Sequence, residues 1–123
     1  MKHPRDQTPY EQDPRSRRLE SGIADGVYVF VLDEDDVMHC LPDGPHLHPK
    51  ILGNASAVKY AGDFRIEAGR ICELTNLSGT FLCDDPAGLS EVAATIRGIG
   101  LEITAGCVRF FPSDGLQRPY IVE

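Results

Sequence analysis

Four side chains that can bind a metal lie close together in the first half of the chain. His39 and Cys40 are adjacent, and His46 and His48 follow shortly after them. A thiolate and imidazole nitrogens are ligands that zinc prefers, and two histidines in an extended segment would point to the same side. The spacing C-x5-H-x-H matches no strong zinc motif. A metal site formed by His39, Cys40, His46 and His48 is therefore one alternative, and local hydrogen bonding of the histidines is the other.

A second polar cluster is the NLSGT sequence of residues 76–80. Backbone N–H groups at a corner of this composition could hold an anion or a carbonyl oxygen, although the same residue types also form plain turns. The histidine segment and the strand that follows it supply further polar and aromatic side chains. The predicted binding site consists of His48, Lys50, Tyr60, Ser78 and Thr80.

The motifs of common enzyme classes are absent from the sequence. It contains no G-x-S-x-G nucleophile elbow, no phosphate-binding G-x-x-x-x-G-K-[ST] and no G-x-G-x-x-G. The cysteines at 40, 72, 83 and 107 form no C-x-x-C pair, which favours buried structural thiols. Only Cys40, beside His39, has a neighbour that could activate it. We expect no cofactor and a binding role more than a catalytic one.

Composition and charge limit the partners of the chain. With 123 residues, 41% of them hydrophobic and 25% charged, it is expected to form one domain with one core. Residues 1–26 carry five basic and five acidic residues, so the formal net charge of −7 belongs to residues 27–123. An acidic body repels phosphate backbones and anionic lipids, which argues against nucleic-acid and membrane binding. No spanning segment or secretory signal is visible, so we expect a cytoplasmic protein.

The elements predicted from hydrophobic patterning give an α+β fold. Residues 1–26 contain three prolines and no apolar period, which predicts a flexible polar tail before a domain at 27–123. Two hairpins follow, at about 27–41 and 57–75, with an irregular or extended segment at 46–52 between them. Asp85 and Pro86 begin an amphipathic helix, and residues 107–111 form a last strand. The expected fold is a small, mostly antiparallel sheet covered by one helix, with edge strands that would permit a homodimer.

Residues 46–104 carry short motifs centred on glycine, alanine and a helix-starting proline: His48, Gly53, Ala61, Gly62, Gly69, Ser78, Gly79, Pro86 and Gly98. This pattern resembles one in small bacterial proteins and in the central domain of plant IQ-motif calmodulin-binding proteins. The resemblance implies a shared fold. Thr80 and Phe81 stand where that pattern has His and Tyr, and no IQ motif is present, so calmodulin binding is not implied.

Three functions follow from these residues. The first, which we favour because the body is small and acidic, is an interaction module for a protein partner or a small ligand at the His48/Ser78 corner. The second is a small nucleotide-handling enzyme similar to ADP-ribosyl-transferring folds. There, His48 would orient the substrate, Tyr60 would stack on it and Glu73 would stabilise charge. The third is a zinc-binding protein that uses the histidine and cysteine set.

Overall fold

A computed structural model describes all residues, 1–123. The strands are β1 (Arg17–Arg18), β2 (Gly26–Leu32), β3 (Met38–Pro42), β4 (Tyr60–Glu67), β5 (Arg70–Thr75), β6 (Val108–Phe110) and β7 (Tyr120–Ile121). The helices are α1 (His48–Leu52) and α2 (Pro86–Ile99). Neither helix is long and apolar enough to cross a membrane.

The seven strands form one sheet in the order β1-β3-β2-β4-β5-β6-β7. All neighbouring pairs are antiparallel except β5 and β6, which are joined through α2 and run parallel. The α+β class and both hairpins are therefore confirmed. A β-bulge interrupts the second hairpin, where the β4–β5 register shifts and leaves Cys72 as the additional residue.

One face of the sheet is covered by α2. The helix directs Leu89, Val92, Ala93 and Ile96 at the sheet, and all four are buried. On the sheet, Tyr60 of β4 and its cross-strand partner Leu32 of β2 lie on the face that α2 covers, since cross-strand partners share a face. Gly88 allows this approach, because a Cβ atom there would lie only 2.4 Å from the Tyr60 ring.

The opposite face is partly covered by α1, which contacts β2 and β3. The prediction that residues 46–52 are irregular or extended was wrong for 48–52. Pro49 lies in the first turn of this helix, where its missing N–H and fixed φ are tolerated. His46 lies just before the helix with a left-handed φ of 56°, so His46 and His48 do not share one side of an extended strand as predicted.

In the structure, residues 1–26 pack against the domain predicted at 27–123. Leu19 and Ile23 belong to the hydrophobic core, with 4% and 5% of their surfaces exposed. The short strand β1 adds an edge to β3. Asp25 accepts hydrogen bonds from the N–H groups of Ala68 and Gly69 in the turn between β4 and β5. The flexibility of this segment stays a prediction.

The segment also completes the short helix α1. The N–H of Asp13 donates to the carbonyl of Lys50, and the side chains of Gln12 and Ser16 both donate to the carbonyl of Ile51. These carbonyls belong to the last turn, where a helix has no internal donors for them. A five-residue helix is marginal by itself, so its position depends on these contacts.

Candidate functional site

The largest cleft has a volume of about 700 Å³ and opens on the sheet face opposite α2. Val29 and Asp63, which are cross-strand partners on β2 and β4, lie at its base. His48 of α1 forms one side, and the 77–80 corner forms another. The volume falls within the roughly 300–1,000 Å³ typical of small-molecule clefts. The predicted His48/Ser78 corner therefore borders a real concavity.

His48 is anchored to the sheet. Its Nε2 lies 2.7 Å from the carbonyl oxygen of Gly62, to which it donates a hydrogen bond. This bond fixes Nε2 as the protonated nitrogen of the neutral ring, and Nδ1 makes no hydrogen bond within the chain. Burial lowers the pKa of His48, outweighing the opposite effects of the Gly62 carbonyl and Asp43. His48 is thus a neutral side chain at neutral pH, with Nδ1 left as an acceptor.

Asp63 contributes a half-buried carboxylate. The hydroxyl of Thr75, its cross-strand partner on β5, donates to one carboxylate oxygen at 2.6 Å. Burial raises the pKa of Asp63, and the negative charges of Glu73 and Asp43 add to that effect. The second carboxylate oxygen has no partner within the chain. A positively charged or hydrogen-bond-donating group in the cleft would satisfy it.

The NLSGT corner is held by its own serine. Ser78 Oγ accepts hydrogen bonds from the N–H groups of Thr80 and Phe81, the pattern of a serine turn. Thr80 is only 4% exposed and lines the cleft, yet its hydroxyl makes no hydrogen bond within the chain. Ser78 therefore shapes the corner, and the hydroxyl of the largely buried Thr80 has no hydrogen-bond partner within the chain but is not itself sealed from solvent.

The N-terminal segment supplies the outer wall of the cleft. The Arg5 N–H donates to the carbonyl of Thr80 at 2.8 Å, which places Arg5 and Asp6 at the cleft rim. Asp6 accepts from the Tyr10 hydroxyl at 2.6 Å and from His46 Nε2 at 2.8 Å. The Tyr10 hydrogen bond is the largest cause of the lowered pKa of Asp6. This wall was missed because the composition of residues 1–26 gives no packing signal.

The charges around the cleft are mostly negative. Asp6, Asp43 and Asp63 line it with their carboxylates, whereas Arg5 is the one lysine or arginine among its lining residues. Arg5 forms no ion pair within the chain, and His46 bonds the Asp6 carboxylate. The acidic net charge of the sequence is consistent with a negatively charged cleft, but it does not identify which carboxylates line it.

Of the five residues predicted to form the site, the structure brings three together. His48, Ser78 and Thr80 line the cleft. Tyr60 does not, because side chains alternate along β4 and its ring points toward α2, where its hydroxyl donates to the carbonyl of Asp85. With 1% of its surface exposed, Tyr60 cannot stack on a substrate ring in this conformation. Lys50 lies elsewhere, with Nζ 5.2 Å from the centre of the Tyr10 ring.

The proposed metal set is also separated. His39 Nε2 lies 2.7 Å from a carboxylate oxygen of Asp33, at the β2–β3 hairpin, while His46 and His48 bond Asp6 and Gly62. Cys40 is buried, and burial raises its pKa to about 11. No group of three or more His, Cys, Asp or Glu side chains is arranged to hold a metal ion. His39, His46 and His48 instead each make a hydrogen bond to a carboxylate or a backbone carbonyl, which was the alternative interpretation.

The sequence resemblance rests on short motifs, and the fold it implied stays a prediction. Two of the residues that carry it have structural roles here: the carbonyl of Gly62 accepts the His48 hydrogen bond, and Pro86 begins α2. Comparisons with models of protein families, with curated proteins and with solved structures each found no match.

Proposed function

We propose that this chain is a binding module whose site is the cleft at the His48/Ser78 corner. The observation that carries the proposal is the set of unsatisfied polar groups in one concavity. The Thr80 hydroxyl, one oxygen of Asp63 and Nδ1 of His48 have no partner within the chain. None of these three atoms is fully buried, so all of them can be reached from the cleft. Ligand sites typically combine a concavity with a few convergent polar groups, and a ligand could complete the hydrogen bonding of these three.

The chemistry of these groups suits reversible binding. Ser78 uses its oxygen to accept two backbone hydrogen bonds, and the Cys83 thiol is buried with its pKa raised to about 11. Neither is placed as an activated nucleophile, which requires an adjacent base or a depressed pKa. The groups that face the cleft are hydrogen-bond and charge partners, and the fixed hydrogen bonds behind them keep their positions before a ligand arrives.

The test uses nearly isosteric variants that alter the cleft and little else. Asp63→Asn and Thr80→Val are compared with the wild-type chain as bait in a lysate of the native organism, with captured proteins quantified by mass spectrometry. The matched control is Glu91→Gln, which makes the same carboxylate-to-amide change on the exposed side of α2. We expect at least one captured protein to be lost from both cleft variants and retained by the control.

The same variants distinguish a small ligand from a protein. Extracts of the purified chain would be analysed for bound metabolites, and a compound retained by the wild type and the control but lost from Asp63→Asn would also support the site. A partner set that is identical for all four baits, with no bound compound, would contradict the proposal. Urea unfolding of each variant serves to exclude misfolding.

A further inference from the structure

A second, smaller groove joins the cleft at Leu77 and Ser78, which line both. Its volume is about 240 Å³, below the range usual for an independent ligand site. Leu77 and Leu82 border it with 43% and 45% of their surfaces exposed, although leucine is usually buried. The polar cleft and this apolar groove therefore form one continuous surface.

The groove is built before any partner arrives. Its two walls are the segments 81–83 and 111–113, and the buried side chain of Asn76 joins them. Asn76 Nδ2 donates to the carbonyls of Cys83 and Phe111, at 2.7 and 3.0 Å, and its Oδ1 accepts from the N–H of Phe111 at 2.7 Å. Three hydrogen bonds from one buried amide hold the walls at a fixed separation.

The charge of the cleft determines the chemistry of its occupant. Three aspartates and one arginine are among the residues that line the cleft, so its electrostatic potential favours a cation. The unpartnered oxygen of Asp63 needs a donor, and an ammonium or guanidinium group can also donate to Nδ1 of His48 and the hydroxyl of Thr80. The adjacent groove takes an apolar side chain, and burial of its two exposed leucines would add to the affinity.

We infer that the occupant is an extended segment of a partner protein that places a lysine or arginine side chain in the cleft and a large apolar side chain in the groove. In an extended chain, residues two apart point to the same side, so such a pair can present one side chain to each of two adjacent sites that share Leu77 and Ser78. The inference rests on the proposed function, because it names the partner chemistry of the same cleft.

The test uses acetylated and amidated pentapeptides and amide NMR shifts of the full chain. The probe Gly-Lys-Gly-Leu-Gly and its reverse are titrated, alongside versions with Glu in place of Lys and with Ser in place of Leu. We expect saturable shifts at Ser78, Thr80 and Leu82 with one of the two Lys/Leu peptides. Binding should weaken at least tenfold with Glu and about threefold or more with Ser.

Two variants should change the affinity for the Lys/Leu peptide in opposite directions, and so they test whether charge determines binding. Asp63→Asn should weaken the Lys/Leu peptide about tenfold, whereas Arg5→Ala should strengthen it, because it removes the cleft's opposing positive charge. Leu82→Ser, an exposed position, should reduce binding of the Lys/Leu peptide to the level of the Lys/Ser peptide. The capture experiment with Asp63→Asn and Thr80→Val is read independently of these titrations.

Several outcomes would overturn the inference. Tighter binding of the Glu peptide, weaker binding after Arg5→Ala, or free lysine binding as well as the Lys/Leu peptide would each do so. The absence of saturable shifts with either Lys/Leu peptide at 10 mM would also overturn it. If a captured partner still depends on Asp63 and Thr80 in that case, the binding module stands and only this description of its partner fails.

Discussion

The hydrogen bond from His48 to Gly62 predicts a measurable loss of stability when the donor is removed. In His48→Leu the ring is replaced by an apolar side chain, and the Gly62 carbonyl loses its partner at 2.7 Å. A net hydrogen bond contributes about 0.5–1.5 kcal/mol, and an unsatisfied buried carbonyl costs about 1–3 kcal/mol. We therefore expect the free energy of unfolding at pH 7.5 to fall by about 2 kcal/mol.

Urea unfolding followed by far-UV circular dichroism measures this change. With an m-value of about 2 kcal/mol/M, typical for a chain of this size, the midpoint should fall by about 1 M. The matched control is His48→Gln, whose amide can donate to the same carbonyl but does not titrate. Its midpoint should lie between those of the wild type and His48→Leu.

The difference in stability between the wild type and His48→Gln should depend on pH. Burial lowers the pKa of His48 in the folded chain below its ordinary 6.5, so the unfolded chain takes up a proton that the folded chain excludes. The contribution of neutral His48 is complete above about pH 6.5 and falls below it, by at most about 1.4 kcal/mol per pH unit. The stability difference between wild type and His48→Gln should therefore decrease between pH 7.5 and 5.

Either of two results would refute this reasoning. A midpoint that falls by less than about 0.3 M in His48→Leu, against the expected fall of about 1 M, would show that the Gly62 contact contributes little to stability. A difference between wild type and His48→Gln that stays constant or grows as the pH falls would show that folding does not oppose protonation of His48.

Other predictions follow from packing and thiol burial. Leu19→Ala should cost about 2–5 kcal/mol in the same unfolding assay, since this residue of the predicted tail is 4% exposed, and a cost below 0.5 kcal/mol would place it outside the core. Gly88→Ala should destabilise by about 1–3 kcal/mol, because the new Cβ would lie 2.4 Å from a carbon of the buried Tyr60 ring. Gly98→Ala, whose Cβ would meet nothing within 4 Å beyond its own stretch of helix, should stabilise by up to about 1 kcal/mol. In native protein, a thiol reagent followed by mass spectrometry should label the partly exposed Cys72 well before the buried Cys83, and equal rates would contradict the described burial.

The sheet and α2 could be predicted because their signals are local and repetitive. The continuous apolar run of β2 and the i, i+3, i+4, i+7 stripe from Leu89 to Ile96 each imply one structure. Gly69 similarly marks a turn through its positive φ of 77°. Such patterns require no knowledge of what lies across the sheet.

The site was less predictable because its contacts are distant in sequence. The contacts of Arg5 with Thr80 and of Asp6 with His46 join residues far apart in the sequence, and no periodicity indicates either contact. Tyr60 was assigned to the site by its residue type, but the alternation along β4 turns it to the other face. The helix at 48–52 was missed because its last carbonyls are satisfied by residues 12–16 and not by a local cap.

Because residues 1–10 form the outer wall of the cleft, ligand binding in the cleft is coupled to the packing of these residues on the rest of the chain. The contacts that hold residues 1–10 include the bridge between Lys2 and Val58, the Arg5–Thr80 hydrogen bond, and the Asp6–His46 pair. A ligand that touches both the wall and the sheet binds the attached state more tightly, so by reciprocity it also favours attachment. If the wall were attached only one tenth of the time, the apparent affinity of such a ligand would be about tenfold weaker than its intrinsic affinity. A measured affinity for this chain therefore reports the docking of its first ten residues as well as the chemistry of the cleft.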